Sequence, residues 1–305
     1  MNALMDDTLL NGISSLSNAC LLGDAQLVYL YDNTLEGMLT AVFESFSRKE
    51  QPVNIVVEQG LQQSLLCSYI PIHTNLESAE RVKNGICKTL SNKTYENIKR
   101  VFLSDDINKG GVIAAYLRYT MKAGRRSCSH LANPAVAAFE EILRVVGWEV
   151  HYILQFVRFA QLNNGVYFSQ INPRASVVPL IMGHFAARFN VQPFMIYDET
   201  HKLAGVFDTE RWWLVDACDI QLPGITRVED EFQALWQAFY DTIAIEERKN
   251  PTCQRSFMPK RFWGNMCEHI PPEFRKSRPS TTTPTSAARL TAQKAIRKDT
   301  RQLKA

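Results

Sequence analysis

The chain has 305 residues, of which 46% are hydrophobic and 21% are charged, and its formal net charge is +3. This is the composition of a globular protein, and the sequence contains no run of about 18 apolar residues that would cross a membrane. Seven cysteines occur without a C-x-x-C spacing. That pattern argues against a zinc site or an iron–sulfur cluster and favours reduced thiols in a cytoplasmic protein.

Positive charge is concentrated at the C-terminal end. Residues 273–305 contain nine Lys or Arg and two acids, so their net charge is +7. Because the net charge of the whole chain is +3, residues 1–272 carry −4. This segment is rich in Ser, Thr and Pro and has few large apolar groups, so we predict a disordered basic tail. Residues 1–24 are predicted to be a loosely ordered extension, and residues 25–272 the folded domain.

The first half of this domain is predicted to contain two strands and many helices. Strands are expected at 26–32 and 52–58, on either side of a helix at 34–50 whose apolar residues recur at helical spacing. Residues 79–148 are predicted to be a run of helices, the last of which has Pro134 near its first turn.

In the second half the period of the apolar residues changes to two. The NNG sequence at 163–165 predicts a hairpin between strands at 155–162 and 165–171. A helix containing HFAARF (184–189) follows, and then a meander of three strands over 193–216.

The clearest helix begins at a capping box formed by Thr226 and Glu229 and should end near Asn250, before Pro251. Hairpins joined by helices, without regular βαβ spacing, predict an α+β fold with a mainly antiparallel sheet built from hairpins and a helical subdomain. A mixed sheet is the alternative. One apolar stripe runs along the last helix: Phe232, Leu235, Trp236, Phe239, Tyr240 and Ile243.

Two polar residues share one face of the helix at 184–189. His184 and Arg188 are one turn apart, while Phe185 and Phe189 belong to the adjacent apolar stripe. An arginine at this margin can bind phosphate, and a histidine can transfer a proton or donate to phosphate. The alternative is that both side chains only bond neighbouring groups of the fold.

Asp32 and Glu36 lie where the first strand ends and the first helix begins. Two carboxylates this close can bind a metal or perform acid–base chemistry. However, Asp, Asn and Thr are also the residues that cap helix N-termini, and a Glu in the first turn suits the helix dipole. Capping alone explains the pattern, and no metal site is predicted.

Basic residues occur beside aromatic ones at two further places. Arg158 is predicted to lie in a sheet otherwise built of Phe, Val and Tyr, with Tyr167 on the neighbouring strand. A charged residue among apolar and aromatic ones is inconsistent with the local pattern, and such positions are often functional sites. Residues 243–263 mix cations with aromatic rings such as Trp263. In proteins that bind single strands, cations contact the phosphate backbone while aromatic rings stack on the bases. The alternatives are a solvated sheet face and a C-terminal anchor. The cations of the second segment are Arg248, Lys249, Arg255, Lys260 and Arg261.

Familiar catalytic and cofactor-binding motifs are absent from the sequence. It contains no Walker loop, G-x-G-x-x-G, G-x-S-x-G or H-E-x-x-H. No cofactor is therefore predicted, and the residues alone indicate an α+β protein with a basic tail and a phosphate-binding face.

Five segments, taken in order, resemble one bacterial family. They are YDNTLEGMLTAVFESFSRKE, FVRFAQLNNGVYFSQINP, HFAARF, FMIYD and IAIEERKNPTCQRSFMPKRFW, which together span about residues 26–264. The family carries the domain of unknown function DUF4130, has no assigned reaction and is associated with DNA metabolism and DNA repair. It is also associated with a radical SAM protein, and some members are fused to a uracil-DNA glycosylase-type domain.

The resemblance implies a role near damaged or modified DNA, alongside the radical SAM partner. This chain contains neither a glycosylase domain nor a radical SAM cysteine motif, so the resemblance implies that a partner performs such chemistry. Asn33 stands where the family pattern usually has a small residue, and Phe262 where it often has Tyr. The pattern falls on Tyr31, Asp32, Glu36, Phe43, Glu44, Arg158, Phe159, His184, Arg188, Tyr197, Asp198, Glu246, Arg248, Asn250, Pro251, Pro259, Lys260, Arg261 and Trp263.

Three functions are compatible with these observations, and a DNA-binding protein of DNA repair or DNA metabolism is our prediction. The second is a nucleic-acid or nucleotide hydrolase, which requires its acidic and basic groups to converge. The third is a protein–protein adaptor for the radical SAM protein, which requires an exposed apolar patch and no convergent polar pocket. The reaction, the DNA lesion, the strand preference and the oligomeric state stay open.

Each of the first two functions assigns roles to particular residues. The predicted nucleic-acid-binding residues are Arg158, Arg188, Arg248, Lys260 and Arg261 for phosphate, with Tyr167 and Trp263 for bases. The candidate catalytic residues of the hydrolase are Asp32, Glu36, His184 and Asp198.

Overall fold

The computed structural model describes residues 26–58, 64, 66–218 and 224–269. The predicted extension at 1–24 and the predicted basic tail at 273–305 lie outside these residues. The chain divides into two compact units, Met1–Glu149 and Val150–Ala305. None of the helices in the described residues is both long and apolar enough to span a bilayer.

A three-stranded parallel sheet forms the core of the first unit. Its strands have the order β2-β1-β3, and β1 pairs in parallel with both neighbours. The last four residues of β1 are all buried, which is typical of a parallel strand covered on both faces. The strands are β1 (Gln26–Tyr31), β2 (Asn54–Val57) and β3 (Cys67–Pro71).

The helices predicted for this half of the chain are present. The first, α1 (Leu35–Ser47), carries the chain from β1 to the parallel strand β2. Tyr116 of α4 stacks on Phe139 of α5, with ring centroids 3.9 Å apart, in the helical part of the core. The other helices are α2 (Leu76–Thr89), α3 (Asn92–Phe102), α4 (Lys109–Ala123), a 3-10 helix (Arg125–Ser129) and α5 (Pro134–Phe156).

Helix α4 approaches strand β2 at a pair of glycines. A Cβ atom on Gly110 would lie 2.3 Å from the carbonyl oxygen of Ile55, and one on Gly111 would lie 2.2 Å from Oδ1 of Asn54. The Nδ2 atom of Asn54 also donates to Oδ1 of Asn108, at 2.7 Å. A side chain at position 110 would meet the backbone of the sheet, which cannot move aside as a flexible side chain can.

The second unit is built on a five-stranded mixed sheet in the order β4-β5-β6-β7-β8. The predicted β4–β5 hairpin and the predicted β6–β7–β8 meander are both antiparallel. Phe194 lies at the centre of an aromatic core that includes Phe159, Phe185, Phe189 and Phe207. The strands are β4 (Ala160–Gln161), β5 (Tyr167–Ile171), β6 (Phe194–Asp198), β7 (Leu203–Phe207) and β8 (Trp212–Asp216).

The prediction of a mainly antiparallel sheet is wrong, although the α+β class is confirmed. Three of the six strand pairs in the described residues are parallel. In the second unit, helix α6 (Val178–Arg188) connects β5 to β6, so those two strands run in the same direction. A crossover of this kind needs a dozen or more residues, which both α1 and α6 with their loops supply.

The C-terminal part of the second unit is helical but broken. The predicted helix at 226–250 ends earlier, at Ile243, and the next residue, Ala244, has an extended conformation with ψ of 124°. Pro251 begins a new helix instead, and Oδ1 of Asn250 caps it by accepting from the amide of Cys253. The elements are α7 (Arg227–Ile243), α8 (Pro251–Phe257) and 3-10 helices at Glu246–Arg248, Lys260–Asn265 and Cys267–His269.

A pair of glycine substitutions tests the close approach of α4 to β2. Gly110→Ala should lower the free energy of unfolding by about 2 kcal/mol or more, because the new methyl group collides with the Ile55 carbonyl. Gly147→Ala in α5 is the matched control. No atom lies within 4 Å of its added Cβ, so it should be neutral or stabilising by about 0.5–1 kcal/mol. Urea unfolding followed by circular dichroism measures both, and equal effects would contradict the packing described here.

Candidate functional site

Arg158 is paired with a carboxylate rather than presented from a sheet. Helix α5 continues to Phe156, so Arg158 lies in the connection to β4. Its Nη2 and Nε atoms donate to Oε1 of Glu268 at 2.7 and 3.2 Å. The Glu268 side chain is only 3% exposed, so this guanidinium neutralises a buried charge.

This ion pair and the burial around it shift the pKa values of Glu268 and Cys267. Burial raises the pKa of Glu268, but the hydrogen bonds and the charge of Arg158, together with a backbone hydrogen bond, outweigh burial, so the carboxyl titrates below its usual range. Burial and the adjacent Glu268 charge raise the pKa of the Cys267 thiol to about 11. That thiol therefore stays protonated at neutral pH and is a poor nucleophile.

The segment that carries Glu268 also holds Trp263 in place. The indole Nε1 of Trp263 donates to the carbonyl of Met258 at 3.0 Å, and its ring stacks on His269 with centroids 4.9 Å apart. Burial lowers the pKa of His269. Trp263 therefore packs within this segment. This agrees with the alternative stated above, in which the segment is a C-terminal anchor.

Other predicted nucleic-acid-binding residues remain at the surface. Arg188, Arg248 and Lys260 are exposed, and no ion pair joins any of them to a side chain in the part of the chain that the structure describes. Arg261 is partly buried and its guanidinium lies over the ring of Phe262, 4.6 Å from the centroid. Arg188, Arg248 and Lys260, unlike Arg261, are therefore available to an anionic ligand.

Tyr167 and Phe257 differ in how exposed their rings are to a nucleic-acid base. Tyr167 is partly buried and stacks on Phe189, with ring centroids 6.4 Å apart. Phe257, at the end of α8, is 74% exposed and lies in sequence between the exposed cations Arg255 and Lys260. Base stacking was predicted for the rings of residues 243–263, and among them the exposed Phe257 is available to stack on a base.

Asp32 forms a capping loop in the first unit. Its Oδ1 accepts from the amide and hydroxyl of Thr34, and its Oδ2 accepts from the hydroxyl of Thr74 at 2.7 Å. Partial burial raises the pKa of Asp32, but the hydrogen bonds from the two hydroxyl groups and from backbone amides together outweigh it, so the pKa is lowered. Thr34 in turn caps α1 by accepting from the amide of Gly37, and Glu36 is exposed in the first turn.

Asp198 orients a histidine that was not predicted. Its side chain is fully buried, and Oδ2 accepts from Nδ1 of His201 at 2.7 Å. Its Oδ1 accepts from the amides of Thr200 and His201, which closes the turn between β6 and β7. Such an arrangement selects the imidazole tautomer that leaves Nε2 as the acceptor. The D-x-x-H spacing after a strand was the sequence signal for this pair.

A polar network continues from this turn. Glu199 accepts from Gln170 and Asn172, which lie at the end of the parallel neighbour β5, at 2.7 and 2.6 Å. These amide groups lower the pKa of Glu199. Asn172 also accepts from Nδ2 of Asn265 at 2.8 Å, so the network reaches the C-terminal 3-10 helices.

The four candidate catalytic residues are divided between the units. Asp32 and Glu36 belong to the first, and His184 and Asp198 to the second. Asp198 is bonded to His201 and the turn, while His184 is exposed on α6 together with Arg188. Within the described residues, no three or more His, Cys, Asp and Glu side chains are grouped as metal ligands would be.

Helix α7 presents its apolar stripe to solvent and its polar side to the protein. Gln237 donates to the carbonyl of Cys267 at 2.8 Å, and Glu229 accepts from the amide of Gln161 at 3.2 Å. No residue of the helix is buried. An exposed stripe of this kind is what the adaptor function requires. Its members are Val228, Phe232, Leu235, Trp236, Phe239 and Ile243, which are between 44% and 65% exposed. Tyr240, which was predicted to belong to the stripe, is partly buried instead.

The model of a protein family described as a domain of unknown function, DUF4130, matches residues 108–268. The chain belongs to this family. The match begins at the N-terminus of α4 and ends at Glu268, so it includes both members of the Arg158–Glu268 pair. Residues 26–107, which contain Asp32 and Glu36, lie outside it although the resemblance was expected to begin at residue 26. Comparison with curated proteins gives no match.

Removing Arg158 should destabilise the second unit. Arg158→Ala leaves Glu268 buried without a partner, and because Arg158 is 34% exposed we expect a loss near the lower end of what buried pairs show, about 2–3 kcal/mol. Arg188→Ala, an exposed arginine of the same unit, should change stability by less than about 0.5 kcal/mol. Urea unfolding at pH 7 distinguishes the two, and equal losses would contradict the structural role.

The effect of Arg158→Ala should also depend on pH. Because the folded-state pKa of Glu268 is lowered, the pair stabilises fully above the pKa of the unfolded carboxyl. The stabilisation disappears as the pH falls through the folded value. The difference between the parent and Arg158→Ala should therefore shrink in acid, and a difference that stays constant down to pH 3 would contradict this account.

Proposed function

We propose that this chain is a nucleic-acid-binding protein of DNA metabolism whose partner performs the chemistry. The observation that carries the proposal is the contrast between Arg158, which neutralises Glu268, and the exposed cations of the same unit. Arg188, Arg248 and Lys260 have no ionic partner among the described side chains. Cations in this state displace counterions from phosphates when they bind, which favours association with a polyanion.

The surroundings of Phe257 favour single-stranded nucleic acid as the ligand. Its exposed ring lies between Arg255 and Lys260 in the sequence, and both cations are exposed. Proteins that bind single strands combine cations along the backbone with rings on which bases stack. In this proposal Phe257 takes the stacking role that was predicted for Tyr167 and Trp263, because those two rings are packed against Phe189 and His269.

The identity of the partner rests on the family resemblance alone. We propose that it is the radical SAM protein with which the resembling family is associated, and that DNA repair or modification is the process. A direct test is co-purification of the two proteins, with and without single-stranded DNA. The proposal requires a complex, and separate elution under both conditions would contradict this part of it.

DNA binding is tested by a salt series. For the full chain and a fluorescent single-stranded oligonucleotide, the logarithm of the binding constant should fall linearly with the logarithm of salt concentration. Arg188→Ala/Lys260→Ala removes two phosphate contacts, so the slope should become shallower by about 1.4. Phe257→Ala should weaken binding by about 1–3 kcal/mol with the slope unchanged, because stacking releases no counterions.

The control variant removes the same charge from the first unit. Arg100 and Lys122 are exposed and make no ion pair within the described residues. Arg100→Ala/Lys122→Ala should leave the slope of the full chain unchanged. A chain that ends at Pro272 isolates the contribution of the basic tail. If the Arg188/Lys260 variant and the control behave alike in both contexts, the proposed interface in the second unit is wrong.

A second candidate function, hydrolysis of a phosphodiester, is favoured by the Asp198–His201 pair. A buried carboxylate that orients a half-buried imidazole is the arrangement of a general base. This candidate requires that the full chain with Mg²⁺ cleave a fluorogenic single-stranded DNA and that His201→Gln lose the activity. Absence of cleavage, or equal cleavage by both proteins, would contradict it.

A further inference from the structure

The outward face of α7 has no role in the proposed function. An amphipathic helix normally packs its apolar stripe against a core. Here Phe232, Leu235 and Phe239 are 64%, 65% and 52% exposed, while Gln233, Gln237 and Tyr240 are the partly buried side. Apolar patches of this kind mark surfaces that are covered by another segment or molecule.

The charge of α7 restricts what can cover it. The helix contains one cation, Arg227, and four acids, so its net charge is −3. Nucleic acid is repelled by such a surface, and a second copy of the same helix carries the same charge. The complementary occupant is apolar on one side and basic overall. The four acids are Glu229, Asp230, Glu231 and Asp241.

The C-terminal segment of this chain has that composition. Ala288, Ala292, Ala295, Ile296 and Leu303 recur at the spacing of one helix face, which is the spacing of Val228, Phe232, Leu235, Trp236 and Ile243 in α7. Asp299 interrupts the stripe. The small side chains of the tail complement the large ones of α7, as in well-packed helix pairs. Residues 273–305 as a whole carry +7.

The described chain ends beside α7. The ring of His269 lies edge-on to Tyr240 of the helix, with centroids 5.6 Å apart, and the carbonyl of Cys267 accepts from Gln237. Sixteen residues, 270–285, separate this point from Ser286. Sixteen extended residues reach roughly 50 Å, whereas a helix of 17 residues is only about 25 Å long. The tail can therefore reach the outward face at high effective concentration.

We infer that residues 286–304 pack as a helix along the outward apolar face of α7 within the same molecule. The tail has too few large apolar groups to fold alone, and the α7 stripe supplies the surface that it lacks. Opposite charge between the two segments adds attraction. This inference does not depend on nucleic-acid binding.

Tryptophan accessibility tests the inference without any ligand. Removing residues 286–305 from the full chain should shift the emission of Trp236 to longer wavelength and increase its quenching by acrylamide. The chain has five tryptophans, so the same truncation is repeated with Trp236→Phe, in which the difference should be lost. Trp148→Phe is the control, because Trp148 is similarly exposed, at 49% against 44%, but belongs to α5. That background should retain the difference.

Two substitutions in the tail distinguish packing of its apolar stripe on α7 from a nonspecific attraction between the opposite charges of the two segments. Ala292→Glu places a carboxylate on the apolar stripe and should reproduce the truncation. Gln293→Glu makes the same charge change beside the stripe and should not. Neither position lies in the described fold, so loss of folding does not obscure the result.

Three outcomes would overturn the inference. Truncation could leave Trp236 unchanged, which would show that the tail does not cover the face. Ala292→Glu and Gln293→Glu could have the same effect, which would mean that packing on the stripe is not specific. Protection of Trp236 could increase with protein concentration, which would show that a second copy covers the face.

Discussion

The ion pair between Arg158 and Glu268 is the constraint on which the second unit depends. It joins residues that are 110 positions apart, one in the connection from α5 to β4 and the other in the last 3-10 helix. A buried pair of this kind adds less stability than a well-packed apolar contact, but loss of one partner is costly. It therefore specifies one position for the C-terminal segment. That segment contributes the carbonyl of Cys267 and the ring of His269, to which α7 is attached.

The orientation of α7 follows from this attachment. Its polar side is bonded to the segment that Glu268 anchors and, through Glu229, to strand β4. The aromatic stripe consequently faces outward. The same division holds for the cations of this unit, since Arg158 is used by the fold and Arg188, Arg248 and Lys260 are left at the surface. Arg158 is therefore a structural residue, and the three exposed cations are available to ligands.

The sequence predicted the local features well and the long-range ones poorly. The NNG hairpin, the three-strand meander and the Thr226 cap are determined by neighbouring residues, and the structure contains all of them. Strand direction depends on how a connecting helix returns the chain, and so the parallel pair β5–β6 was missed. The carboxylate that pairs with Arg158 lies too far along the chain for any spacing rule. His201, three residues after Asp198, could have been found from the sequence.

In the proposed function, nucleic acid is bound by the exposed cations of the second unit that have no ionic partner among the described side chains. Hydrogen–deuterium exchange of the full chain, with and without a single-stranded oligonucleotide, locates the contact directly. Slower exchange is expected in peptides that cover 248–261 and the C-terminal turn of α6, with no change in the first unit. Slower exchange that is confined to residues 270–305, or that occurs only in the first unit, would contradict it.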